Sequence, residues 1–131
     1  MTVQDKRIVF SAEIPQPGGA YSQGIISNGF LFSAGLGPHD AATRQVVGDS
    51  IEAQTCQLMS NVAALLADQG MTFADVVKTT VHLANLPRDF SGFDTVYRDA
   101  FITDFPVRTT VGSALNGFLV EMDIVARCVR D

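Results

Sequence analysis

With two cysteines, two histidines and only 18% charged residues in 131, the sequence closes off several classes of protein by what it lacks. Cys56 and Cys128 are too few for a disulfide framework, and neither stands in a CxxC or His-rich spacing, so no zinc site is expected. Both read as reduced thiols buried like small apolar side chains. His39 and His82 stand alone, one in a loop and one in a strand, with no metal role. No apolar run approaches the ~20 residues needed to cross a bilayer, and the N-terminal MTVQDKRIVF lacks the apolar region and cleavage site of a secretory signal. The expected location is the cytoplasm. Positive charge is also scarce: nine Lys+Arg against 14 Asp+Glu leave a net charge of -5. The bases are scattered singly rather than gathered in a stripe, which argues against a nucleic-acid partner.

Hydrophobic residues, by contrast, make up 47% of the chain. That is enough apolar surface to offset the ordering entropy of one core, and the length suits a single domain over residues 1–131. Two Asn-Gly pairs between apolar segments, Asn28-Gly29 and Asn116-Gly117, predict β-hairpins with type I′ turns. The first joins Gly24–Ser27 to Phe30–Ala34, with Arg7–Ser11 before it as an edge strand. Gly35–Gly48 is rich in turn formers and reads as a loop. Asp49 then caps a helix, with Glu52 completing a capping box, and Ile51, Thr55, Leu58, Met59, Val62, Leu65 and Leu66 recur at helical spacing up to Gly70. Thr72 and Asp75 cap a short turn before the β-branched strand Val76–Leu83. Phe90, Phe93, Tyr97, Ala100 and Phe101 lie on one face of a second helix between Pro87 and Pro106. Strands Arg108–Leu115 and Phe118–Cys128 close the order β, β, β, α, β, α, β, β. The class is α+β, one sheet with helices on one face.

A two-residue turn at Asn116-Gly117 sets Gly112 opposite Glu121 and Thr110 opposite Asp123. Alternation then places Val111, Leu115, Val120, Met122, Ile124 and Ala126 on one face, and Arg108, Thr110, Glu121 and Asp123 on the other. The second set is either a solvated face with weak cross-strand ion pairs, or a site in which Arg108 clamps a substrate carboxylate and Glu121 handles a proton. Its apolar neighbours suggest cover by another subunit. The Gly18-Gly19 and Gly35-Leu36-Gly37 stretches read as turn geometry, since neither opens a helix as a phosphate loop does. Tyr21 is either a pocket wall or a core aromatic.

From Pro17 to Ala126 the chain resembles the RidA/YjgF family of imine deaminases. The resemblance lies in Gly19-Ala20-Tyr21-Ser22-Gln23, Leu31-Phe32-Ser33-Ala34-Gly35, Ile51-Glu52-Ala53-Gln54-Thr55, Asp75 to Val81, Asp89-Phe90 with Tyr97, Phe105-Pro106-Val107-Arg108, and Val120 to Ala126. It implies a chorismate-mutase-like α+β fold, a single mixed sheet of about six strands with two helices on one face, assembled as a homotrimer with clefts between subunits. It also implies hydrolysis of reactive 2-imino or enamine acids to 2-keto acids and ammonia, with neither metal nor cofactor. On this resemblance Arg108 holds the substrate carboxylate and Glu121 activates the attacking water. Tyr21 walls the pocket, Gly35 and Thr110 offer backbone contacts, and Ala34 and Asp94 complete the lining.

The sequence departs from the family pattern at several of these positions. Ala34 stands where serine is usual, Thr110 where cysteine is, Asp94 where asparagine is common and Ala20 where proline is. Asn116-Gly117 replaces a longer loop. Arg108 and Glu121 are kept, which points to a retained clamp in a remodelled pocket. Alternative readings are a deaminase of another carboxylated amine, aminomuconate- or aminoacrylate-like, and a non-catalytic trimer that binds small ligands.

Overall fold

A computed structural model describes residues 6–128. The elements follow as β1 (Arg7–Val9), β2 (Gly24–Ser27), β3 (Phe30–Ser33), α1 (Ile51–Asp68), β4 (Val76–Leu83), α2 (Leu86–Phe101), β5 (Val107–Gly112) and β6 (Val120–Arg127). They form one six-stranded mixed sheet, ordered β1-β2-β3-β6-β4-β5, with both helices on one face, as the sequence predicts. Among the described residues only β4 and β5 run parallel. The first hairpin is the expected one: Asn28 and Gly29 both adopt positive φ, 54° and 84°, and join Ser27 to Phe30.

The N-cap of α1 is Ser50 rather than Asp49. Its extended backbone lets Oγ accept the Ala53 N–H at 3.0 Å. The predicted apolar stripe is buried throughout, and two polar residues share its face. Gln54 donates to Gly48 O at 3.0 Å and accepts the Leu119 N–H at 2.8 Å. Asn61 donates to the carbonyls of Gly37 and His39, both at 2.9 Å. Helix α1 thus anchors the 37–48 loop as well as the core. Cys56 falls off the stripe and is exposed, not buried as expected, and Cys128 is half-buried. Gly92 lies where α2 meets the first turn of α1, and a Cβ there would stand 2.7 Å from Ile51 Cγ2. A glycine inside a helix is thus needed for close approach.

The second hairpin does not form. Strand β4 lies between β5 and β6, pairing Thr79 with both Arg108 and Ile124. Residues 113–119 pass over the end of β4, with Ser113 N–H donating to Leu83 O and Ala84 N–H to Leu119 O, both at 3.0 Å. Gly117 has φ 88° but Asn116 does not share a positive φ, so no type I′ turn closes there. The parallel β4-α2-β5 crossover already supplies the partner of β5, and the Asn-Gly pair marks a bend in a connecting loop.

This topology overturns the expected sorting of faces. Paired residues share a face, so Arg108 and Thr110 lie with Thr79 and Val81 on the helix-covered side, while Glu121 and Asp123 lie with His82 and Thr80 on the other. Val111, expected in the core, pairs with His82 on the uncovered side. That side carries Ile8 (63% exposed), Phe10, Phe32 (46%) and Val107 (68%), an apolar surface facing outward.

Candidate active site

Two clefts flank the sheet and divide the predicted residues between them. The first, of about 490 Å³, is lined by Tyr21, Ala34, Gly35 and Glu121 together with His39, Arg44 and Phe118. The chain beyond β3 continues alongside β6, where Leu36 and Met122 exchange backbone hydrogen bonds of 2.8 and 3.0 Å. This sets Gly35 directly beside Glu121. A Cβ on residue 35 would overlap Glu121 Oε2 and sit 2.8 Å from Cδ. The bare backbone of Gly35 is therefore the seat of the Glu121 carboxylate, and glycine is required by contact rather than by turn geometry.

The same strand extension holds Ala34, whose N–H donates to Gln23 O at 2.9 Å. Gln23 is buried and ties its amide to the carbonyls of Ser11 (3.1 Å) and Pro15 (2.9 Å), anchoring the 15–23 segment that forms the opposite wall. Tyr21 projects from that segment, exposed, with its hydroxyl accepting the Gly18 N–H at 3.1 Å. It is a wall, not a core aromatic. His39 meets Phe118 edge to face at 4.9 Å between ring centres. Burial, helped by the charge of Arg44, pushes the His39 imidazole below its usual pKa and favours the neutral ring.

The second cleft, of about 280 Å³, holds Arg108 and Asp94 with Tyr97, Arg98 and Phe105. Helix α2 places Asp94, Tyr97 and Arg98 along one side of β5. Arg108 Nη1 donates to Asp94 Oδ1 at 2.8 Å, and Arg98 donates to the other carboxylate oxygen at 3.1 Å. The Arg108 guanidinium also lies over three rings, 4.7 Å from the centre of Tyr97 and 5.5 Å from those of Phe90 and Phe93. Burial raises the Asp94 pKa, but the hydrogen bonds and charges of the two arginines outweigh it and hold the carboxyl below its usual range. Burial also raises the Tyr97 phenol, whose oxygen lies 2.9 Å from Thr79 Oγ1. Asp94 is thus a bridge between two cations, and one nitrogen of the Arg108 fork is committed to it.

Arg108 and Glu121, which hairpin register had put on one face, therefore lie in different clefts on opposite sides of the sheet. Thr110 points to the Arg108 side but lines neither cleft. Asp123 lies with His82 and Lys78 on the uncovered face. Burial raises its carboxyl pKa, against the opposing pull of His82, Lys78 and a hydrogen bond from Thr80. Sequence reasoning missed His39, Arg44 and Phe118 in the first cleft and Arg98 and Phe105 in the second. The i, i+4 step from Asp94 to Arg98 was a readable signal; nothing local marks Arg44. Among the described residues no group of His, Cys, Asp and Glu is arranged to hold a metal ion.

The family model described as Endoribonuclease L-PSP matches residues 11–128. A Lactococcus lactis protein bearing the regulator name AldR is 38% identical, covering 92% of this chain and 96% of its own. A goat 2-iminobutanoate/2-iminopropanoate deaminase is 32% identical over 92% of this chain and 89% of its own. Among solved structures, the Rid-family protein YyfA of Yersinia pestis superposes with a TM-score of 0.88 at 35% identity, covering 94% and 99% of the two chains. E. coli TdcF with bound serine superposes with a TM-score of 0.84 at 27% identity, covering 96% and 100%. With nearly the whole chain matched in both sequence and fold, this protein belongs to the Endoribonuclease L-PSP family, the YjgF/RidA family.

Proposed function

We propose that the chain hydrolyses reactive 2-imino or enamine acids to 2-keto acids and ammonia, in a homotrimer whose active sites pair Arg108 of one copy with Glu121 of the next. The observation that carries this reading is the position of Arg108. It is always charged, 22% exposed, stacked on aromatic rings, and bound to Asp94 through one fork nitrogen. The rest of its fork faces a cleft and suits a carboxylate. A goat relative named as an imine deaminase and a bacterial relative crystallised with an amino acid support the same substrate class.

The topology supports such an assembly. Strand β5 ends the sheet, so Arg108 stands at an edge that a neighbour can reach, whereas its own Glu121 lies across the sheet. The uncovered face with Ile8, Phe10, Phe32 and Val107 supplies apolar surface for closed association. In such a site Arg108 fixes the substrate carboxylate, with Asp94 as its positioning residue, and Glu121 on its Gly35 seat faces the imine carbon. Glu121 takes a proton from water as the new C–O bond forms and the C=N electron pair moves to nitrogen. Glu121 returns that proton to the nitrogen, and the carbinolamine then collapses: the hydroxyl gives up its own proton as the C=O bond forms, the C–N bond breaks, and the nitrogen, now carrying both protons of the water, leaves as ammonia. An enamine enters the same route after protonation at carbon. Because an imine carbon is already electrophilic, positioning and one proton-handling group suffice.

Ammonia release from 2-iminobutanoate generated in situ by a threonine dehydratase tests this reading. The protein is expected to accelerate release, and Arg108→Ala and Glu121→Gln to lose it by about 100-fold or more. No acceleration by the intact protein refutes the deaminase assignment.

A further inference from the structure

The cleft around Glu121 carries a cation that imine hydrolysis does not require. Arg44 sits in a tight turn closed by its own N–H donating to Asp40 O at 2.8 Å and by Asp40 N–H donating to Gln45 O at 2.9 Å. The turn holds Arg44 at φ 65°, a left-handed conformation that glycine adopts without cost and arginine does not. The neighbouring acid, Asp40, directs its carboxylate to the N–H groups of Ala42 and Thr43, at 3.0 and 2.8 Å. Among the described residues the Arg44 guanidinium makes neither an ion pair nor a hydrogen bond. It lies against the bare backbone of Gly18, where a Cβ would stand 3.4 Å from Nη2. One wall of the cleft thus presents an unengaged guanidinium, and Glu121 and a half-buried imidazole line the same cavity.

A second anionic group on the substrate would be repelled by Glu121 and by the net charge of -5 unless a cation met it. The cleft also has room beyond a two-carbon side chain. We propose that Arg44 is a specificity residue for dicarboxylic 2-imino acids: Arg108 of the adjoining copy takes the carboxylate beside the imine, and Arg44 takes the side-chain carboxylate. This rests on the deaminase reading above and names its substrate class. The reaction is unchanged, water adding to the imine carbon and ammonia leaving.

The test compares imines formed in situ by amino-acid oxidases from glutamate and from 2-aminobutanoate, with catalase present. In wild type the ratio of kcat/KM, dicarboxylic over monocarboxylic, is expected to exceed about tenfold. Arg44→Gly, which suits the left-handed turn and so keeps the loop, lowers that ratio about tenfold, and Arg44→Lys restores much of it. A ratio unchanged by Arg44→Gly, or a wild-type preference for the monocarboxylic imine, overturns the proposal. If neither imine is hydrolysed, the deaminase reading fails by itself, and calorimetric binding of 2-oxoglutarate against 2-oxobutanoate decides the role of Arg44. A preference for 2-oxoglutarate that disappears in Arg44→Gly supports the subsite. Equal binding of the two acids, or a preference that survives the substitution, overturns it.

Discussion

Substituting Gly35 by alanine isolates the placement of the Glu121 carboxylate from its chemistry. Residue 35 needs no positive φ, so alanine meets no backbone strain there. Its Cβ nevertheless overlaps Glu121 Oε2 and comes within 2.8 Å of Cδ. The flexible end of the glutamate is what must yield, and it must retreat by about 1 Å to regain ordinary contact. Such a retreat costs little stability, because Glu121 is only half-buried and can turn toward the open cleft. Catalysis is less forgiving: a misplacement of about 1 Å is enough to lower the rate about 100-fold, or roughly 2.7 kcal/mol of transition-state stabilisation. Gly35→Ala is therefore expected to lose about two decades in kcat/KM for ammonia release, while its melting temperature stays within a few degrees of wild type. Activity within about threefold of wild type would refute the idea that Gly35 seats the carboxylate proposed to act on the imine.

Three further predictions concern the scaffold. Asn61→Ala leaves the Gly37 and His39 carbonyls without their donor and should cost about 1–3 kcal/mol, read by urea denaturation. Ile102 ends α2 at φ 68° and ψ -61°, with Thr103 N–H donating to Phe101 O at 2.7 Å, a strained γ-turn at an exposed β-branched residue. Ile102→Gly should raise stability by about 1 kcal/mol, seen as a higher melting temperature. The two arginines hold the Asp94 pKa below its unfolded value, so its stabilisation is complete above the ordinary carboxylate range and fades as pH falls through the depressed folded value. The melting-temperature gap between wild type and Asp94→Asn is expected to be widest near neutrality and to close below about pH 4.

Elements were readable wherever a local pattern determined them. Ile51 to Leu66 at helical spacing, Thr72 with Asp75, and Asn28-Gly29 between apolar strands each carry their own cause. The order of strands does not lie in any local pattern. Asn116-Gly117 has the same dipeptide as Asn28-Gly29, yet β4 enters between the strands it was expected to join, a pairing set by the α2 crossover. The resemblance located Arg108, Glu121, Gly35 and Tyr21, and the structure puts the last three around one cleft. Their distribution over two clefts was illegible, because the insertion of β4 between β5 and β6 puts Arg108 and Glu121 on opposite faces. Arg44 was invisible for another reason: its turn is closed by backbone groups and a nearby aspartate, and its side chain reaches the cleft only through the folded loop.

The interfacial pairing of Arg108 with Glu121 is tested most directly by mixing two variants that each lack one of them. In the proposed homotrimer, Arg108→Ala and Glu121→Gln subunits co-expressed in equal amounts would assort at random. About one site in four then joins an intact Arg108 to an intact Glu121. The mixture is expected to recover about a quarter of wild-type ammonia release although each variant alone is nearly inactive. A mixture no more active than its separate components would contradict it.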